Sequence, residues 1–141
     1  MTDTYSVHIV DDDATVRDST AALLAVLGHD AILWDSGEQF LARSNPQPNE
    51  VILLDDRMGG MDGLEVLCRL NAWGVTTPLV VMTERTEREI EAEYLARGAT
   101  WLLDKPFNLA DLRRALTIAE TAASRLACLR AGIAPVRRIE G

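Results

Sequence analysis

No stretch of the sequence stays apolar long enough to cross a bilayer, and its start lacks the basic-then-apolar pattern of a secretory signal. A cytoplasmic protein with no membrane partner is the expectation. Cysteine is scarce. Cys68 and Cys128 lie far apart and match no metal-binding spacing, so they read as reduced thiols. The two histidines, His8 and His29, have no partner pattern for metal binding or nucleophilic catalysis and read as structural. Positive charge is in deficit: 14 Lys and Arg face 22 Asp and Glu, for a net charge of −8. That balance argues against direct nucleic-acid binding. The acid is also concentrated, with Glu84, Glu87, Glu89, Glu91 and Glu93 in one short stretch. Low-complexity segments are missing too, as is any internal repeat beyond a βα unit.

What is present is one domain's worth of ordinary soluble sequence: 141 residues, 48% hydrophobic and 26% charged. A chain of this size buries enough surface for a core without staples. Five short apolar runs recur, Val7–Val10, Ala31–Trp34, Val51–Leu54, Leu79–Met82 and Trp101–Leu103. They lack polar alternation, as parallel strands covered on both faces do. Five helical patterns alternate with them. Asp13 is a candidate N-cap for a helix running to Leu27 before Gly28, with Val16, Leu23, Leu24 and Leu27 inward. Ser36 with Gln39 reads as a capping box with Phe40 behind it. Asp62-Gly63 opens a helix that turns Leu64, Leu67 and Leu70 to the core. Thr86 with Glu89 is a second capping box, closed by Gly98, and Asn108 caps a last helix from Leu109 to near Ala131. Pro46–Asn49 reads as a surface loop, and Gly132–Gly141 as a tail or linker. Alternating β and α units imply an α/β fold with an open parallel sheet and right-handed crossovers.

Such sheets bind ligands beyond the carboxyl ends of their strands. Those ends carry the chemistry of this chain. Asp11 and Asp12 follow the first run, Asp55 closes the third, Thr83 closes the fourth, and Lys105 follows the fifth. Two like charges about 4 Å apart repel by roughly 4 kcal/mol at an effective dielectric near 20. Three clustered carboxylates therefore need a cation or raised pKa values. Oxygen-only ligands select a hard ion, and a partly hydrated site suits Mg²⁺. A carboxylate can act as nucleophile to form an aspartyl phosphate, with Lys105 neutralising phosphoryl oxygens and Thr83 donating to one. Taken singly, each residue has a plainer reading as helix cap, strand-end turn or surface lysine. Their order and strand-end placement carry the joint reading of a phosphoryl acceptor.

The segments HIVDDDATVRDS, VILLDDRMGGMDGLEVL, PLVVMTE and GATWLLDKPF carry a family resemblance. In this order and spacing the chain resembles the receiver domain of two-component response regulators, the CheY-like family, over about residues 5–123. It is similar above all to receivers of the FixJ type, which usually precede a helix-turn-helix output domain. The resemblance implies a doubly wound (βα)5 flavodoxin-like domain with strand order 2-1-3-4-5. Residues 1–123 would form the receiver and 124–141 an extension of the last helix with a tail or linker. It further implies that Asp12 binds Mg²⁺ directly and Asp11 through water. Asp55 would be both phosphorylated residue and metal ligand, and Arg57 would offer its backbone carbonyl to the metal. Thr83 would track the phosphoryl group and Lys105 would pair with it. The donor would be a sensor histidine kinase. Phosphorylation would favour an active arrangement of the fourth helix, fifth strand and fifth helix, a face open to homodimerisation, and would control an output domain or a downstream protein, transcription being the expected output. Chemistry beyond self-phosphorylation and self-dephosphorylation is not expected.

Five positions depart from that pattern. Asp56 follows the acceptor where an apolar residue is usual, and the expectation is a solvated side chain. Gly59 stands where proline is usual, so Gly59-Gly60 should loosen the loop. Glu84 follows Thr83 where a small residue is usual, putting a bulky anion at the mouth of the site. It either hinders small donors or points to solvent and pairs with Arg88. Leu102 occupies the place of a switch Tyr or Phe. Trp101 beside it faces the other way and cannot substitute directly. These departures keep a second function open, a divergent receiver serving as a phosphorylation-independent interaction module. An aspartate-nucleophile phosphatase is disfavoured because Arg57 stands where the general acid would be. A flavodoxin-like electron carrier is disfavoured because Asp11-Asp12-Asp13 replaces a phosphate-cradling loop.

Overall fold

A computed structural model describes residues 4–84, 88–130 and 132. Strands and helices alternate in the order β1 (Ser6–Val10), α1 (Ala14–Val26), β2 (Asp30–Trp34), α2 (Gly37–Arg43), β3 (Val51–Asp55), α3 (Gly63–Ala72), β4 (Leu79–Glu84), α4 (Arg88–Ala96), β5 (Trp101–Lys105) and α5 (Leu109–Arg130). The five strands form one parallel sheet in the order β2-β1-β3-β4-β5. The fold and strand order are those expected.

The apolar runs become strands because both sheet faces are covered. Alternate residues serve opposite layers. Val7 and Ile9 of β1, Val51 and Leu53 of β3, and Val80 and Met82 of β4 pack with Leu24 of α1 and Leu112, Ala115, Leu116 and Ala119 of α5. Val10, Ile52, Leu54 and Val81 pack the other way, against Phe40 of α2, Val66, Leu67 and Leu70 of α3, and Tyr94 of α4. The central strand β3 is buried along its whole length. Each such Val or Leu contributes about 1.5–3 kcal/mol by leaving water.

The helix starts follow the caps. The Asp13 carboxylate accepts from the N–H groups of Thr15 and Val16, at 2.9 and 3.4 Å. Ser36 Oγ accepts from Gln39 N at 3.1 Å. Asp62 accepts from Glu65 N at 2.9 Å. Asn108 and Asp111 cap each other's backbone at 2.8 and 3.1 Å. Gly28 and Gly98 close α1 and α4 in the left-handed region, at φ 86° and 100°. Val16 and Leu64, read as core residues, are only partly covered, whereas Thr20, Val66 and Tyr94 are buried. The Thr86–Glu89 capping box, the Glu84–Arg88 pairing and the environment of Cys128 lie outside the described residues.

His8 is buried on β1, its Nδ1 accepting from Trp34 Nε1 at 3.0 Å and its Nε2 facing Glu50 at 2.9 Å. With Nδ1 occupied as an acceptor, Nε2 is the nitrogen that donates to Glu50. His29 stacks on Tyr5 and accepts from its backbone N–H. Both histidines are structural, as expected.

Candidate functional site

The carboxyl ends of β1, β3, β4 and β5 bring Asp11, Asp12, Asp55, Thr83 and Lys105 together. Asp11 and Asp55 are buried and Asp12 is exposed, and one carboxylate oxygen from each lies within 4.8 Å of the others. Lys105 Nζ sits between two of them, at 2.9 Å from Asp11 Oδ2 and 2.9 Å from Asp55 Oδ1. The Lys105–Pro106 peptide bond that ends β5 is cis.

Two of the carboxylates, Asp11 and Asp12, are also held by backbone N–H groups. Asp11 Oδ1 accepts from Asp13 N at 2.9 Å, and the Asp11 carbonyl accepts from the Arg17 guanidinium at 2.6 Å. Asp12 Oδ2 accepts from Gly59 N at 3.0 Å. A proline at 59 has no N–H to make that bond.

The electrostatics are those of an acid pocket that one ammonium compensates only in part. Burial, opposed by Lys105 and reinforced by Asp11 and Asp12, pushes the Asp55 carboxyl up to about 6. Burial alone would lower the Lys105 ammonium, but its hydrogen bonds to Asp11 and Asp55 and their charges outweigh that and raise it. One hydroxyl is left over. Thr83 Oγ1 is buried with no hydrogen-bond partner among the described residues. Thr83 lies one residue past Met82, the register partner of Asp55 on β4, so this orphaned donor stands at the same edge of the sheet. A buried unpaired hydroxyl costs free energy unless a ligand satisfies it. Three carboxylates, an ammonium and a free hydroxyl fit a hard divalent cation together with a phosphoryl group.

Two expectations about the neighbouring loop are corrected. Asp56 is not simply solvated: it is half-buried, and its Oδ1 accepts from the hydroxyl of Tyr94, a fully buried residue of α4. The Gly59-Gly60 loop is not left loose. Gly59 is tied to Asp12, and Met61 N donates to Glu38 Oε1 at 3.3 Å. Gly60 adopts φ +93°, a backbone conformation that residues with a Cβ rarely take. Arg57 follows in this loop with an exposed side chain. Glu84 is exposed at the end of β4, in register with Lys105. Trp101 is exposed, and Leu102 turns to the opposite side and packs against the cluster that holds Tyr94. Sequence reasoning missed Arg17, Glu38 and Tyr94. Their roles depend on reaches across the fold that no local pattern records.

An open parallel sheet in this order, with acids and a lysine at its carboxyl edge, defines a doubly wound α/β domain of the flavodoxin-like kind. Residues 7–117 match the family model of the response regulator receiver domain. The chain is 36% identical over 124 residues to the tetrathionate response regulatory protein TtrR of Salmonella typhimurium, covering 85% of this chain and 60% of that protein. It is 37% identical over 108 residues to the transcriptional regulatory protein FixJ of Azorhizobium caulinodans, covering 77% and 51%. The crystal structure of FixJ-N superposes with a TM-score of 0.75 at 34% identity, covering 85% of this chain and 95% of that one. Response regulator StyR superposes at 0.81 with 28% identity, covering 91% and 65%. The chain belongs to the response regulator receiver domain family and is FixJ-like within it. A receiver domain is a signalling module. The chain spans 60% of TtrR and about half of FixJ. Among the described residues no helix is long and apolar enough to cross a membrane.

Proposed function

We propose that Asp55 accepts a phosphoryl group from a sensor histidine kinase. A carboxylate oxygen of Asp55 attacks phosphorus in line. An O–P bond forms as the P–N bond of a phosphohistidine breaks, and the imidazole leaves with the electron pair and takes a proton from water. Asp11, Asp12, Asp55 and the backbone carbonyl of Arg57 would hold Mg²⁺, which when bound neutralises charge on the phosphoryl oxygens. Lys105 transfers its hydrogen bond from the Asp55 oxygen to a phosphoryl oxygen, and Thr83 donates its unused hydroxyl to another. The observation that carries this reading is Lys105 Nζ at 2.9 Å from both Asp11 and Asp55, beside the orphaned Thr83 hydroxyl.

The phosphorylated receiver controls an output, transcriptional by analogy with relatives described as transcriptional regulatory proteins. Residues 1–123 act as the receiver. Residues 124–141 serve as the extension of the last helix with a tail or linker, and the output controlled is a DNA-binding domain or a downstream protein. With a net charge of −8 over its 141 residues, the chain leaves nucleic acid to that partner. A homodimer through α4, β5 and α5 is supported by exposed Leu95 and Trp101 on that face. The setting is the cytoplasm, where such kinases present their phosphohistidine. Glu84 at the mouth and Leu102 in the switch position favour one other reading, an interaction module that works without phosphate.

Intact mass after incubation with Mg²⁺ and acetyl phosphate tests the proposal. The expected result is a gain of one phosphoryl group, lost with EDTA. If Glu84 hinders small donors, Glu84→Ala takes up the group faster than the parent. Equal rates would place Glu84 in solvent without a role. No gain in either protein, nor from a phosphorylated histidine kinase, would favour the interaction module.

A further inference from the structure

Helix α4 carries an acidic outer face and has one fully buried residue among those described, Tyr94. The Tyr94 ring sits with Leu54, Val81 and Leu67 under the sheet, and Leu102 packs against the same cluster. Its hydroxyl reaches out of that apolar layer to Asp56 Oδ1. Asp56 is fixed on both sides of its own peptide plane: its N–H donates to Met82 O at 3.0 Å, and its carbonyl accepts from Gly63 N at 3.2 Å. The space is tight. A Cβ on Gly63 would lie 2.6 Å from the Tyr94 hydroxyl and 2.7 Å from the Asp55 carbonyl oxygen. The phenol, the acceptor's main chain and the first residue of α3 therefore meet at one point.

We propose that the Asp56–Tyr94 hydrogen bond is the tie through which the state of Asp55 sets the position of α4. The inference rests on Asp55 being the phosphoryl acceptor. Asp56 is covalently next to Asp55, so any shift of the β3 end is passed at once to the carboxylate that holds Tyr94. α4 has no second fully buried anchor among the described residues to resist that pull. The position on β5 where an aromatic switch is usual holds Leu102, which has no hydroxyl to offer. Tyr94 supplies a buried hydroxyl-bearing ring from the neighbouring element instead. Burial and the Asp56 charge both raise the phenol's pKa, so it remains a donor under all ordinary conditions. Tyr94 and Asp56 are positioning residues here; neither touches the reacting atoms.

Hydrogen exchange of the amides in α4, read by mass spectrometry alongside intact mass, tests the tie. Four proteins are compared with and without Mg²⁺ and acetyl phosphate: the parent, Tyr94→Phe, Asp56→Ala and Asp56→Asn. In the parent, phosphorylation changes exchange in α4. In Tyr94→Phe and Asp56→Ala, α4 exchanges at least about tenfold faster before phosphorylation, as loss of a charge-assisted hydrogen bond predicts. Phosphorylation then leaves α4 unchanged, although the phosphoryl group is still taken up. Asp56→Asn keeps an oxygen acceptor and retains most of the parent's behaviour. Parent-like exchange and parent-like response in Tyr94→Phe would overturn the proposal. Failure of the parent to gain mass from acetyl phosphate and from a phosphorylated histidine kinase alike would overturn the acceptor assignment instead. The exchange of the untreated proteins would then still decide whether Asp56 and Tyr94 hold α4.

Discussion

Asp55→Asn is expected to take up no phosphoryl group and, without metal at pH 7, to melt at a higher temperature than the parent. The first effect follows from the loss of the nucleophile, since an amide oxygen cannot form the acyl phosphate. The second follows from the charge cluster. Burial, with Asp11 and Asp12 adding to it and Lys105 opposing, raises the Asp55 carboxyl from 3.8 to about 6. A carboxyl whose pKa is higher in the folded state favours folding when protonated. That contribution is fully present below the unfolded value and is lost as pH rises through about 6. The parent's carboxylate therefore costs stability at neutral pH, and the neutral amide does not. The gap in Tm between Asp55→Asn and the parent should be widest at neutral pH and close as pH falls through the folded pKa. Millimolar Mg²⁺ should also narrow it, by stabilising the parent through binding. Thermal melts followed by circular dichroism measure both. A parent that melts above Asp55→Asn at pH 7 without metal would mean that Lys105 already neutralises the pocket.

Gly63→Ala is the most damaging single-methyl change expected near the site. The added Cβ would meet the Tyr94 hydroxyl at 2.6 Å, the Asp55 carbonyl oxygen at 2.7 Å and Asp56 Cα at 3.2 Å. Two of those atoms are main chain at the end of β3, which cannot step aside without moving Asp55. Overpacking of this kind costs about 1–3 kcal/mol, or a Tm lower by roughly 3–10 °C for a domain of this size. Phosphoryl uptake should slow in the same variant because Asp55 is displaced relative to Lys105. Gly59→Ala is the matched control. Its φ is not positive and its Cβ would meet only Asp12 Oδ2, at an ordinary 3.8 Å. Its Tm should stay close to the parent's. Equal Tm values for the two variants would show that the crowding at Gly63 relaxes freely.

Much of this protein is legible in its amino-acid sequence. Apolar runs without alternation are strands because a parallel sheet buries both faces, and β3 meets that condition at every residue. Asp13, Ser36, Asp62 and Asn108 cap helices through bonds that span two or three residues, so their signature is local. The doubly wound order then carries Asp11, Asp55, Thr83 and Lys105 to one edge, because right-handed crossovers return every strand in the same direction. The tertiary structure alone decides how those residues meet. Lys105 contacts Asp11 across 94 positions and Asp55 across 50, and nothing local records that it bridges both. Asp56 reads as solvated from its neighbours because its partner, Tyr94, lies 38 residues away on another helix. Gly59-Gly60 reads as loose because Asp12 and Glu38, which pin that loop, belong to other parts of the chain. Propensities, caps and periodicities act over a few residues and leave their mark in the sequence. Which side chain meets which across the sheet edge depends on where the crossovers set each helix, and only packing determines that.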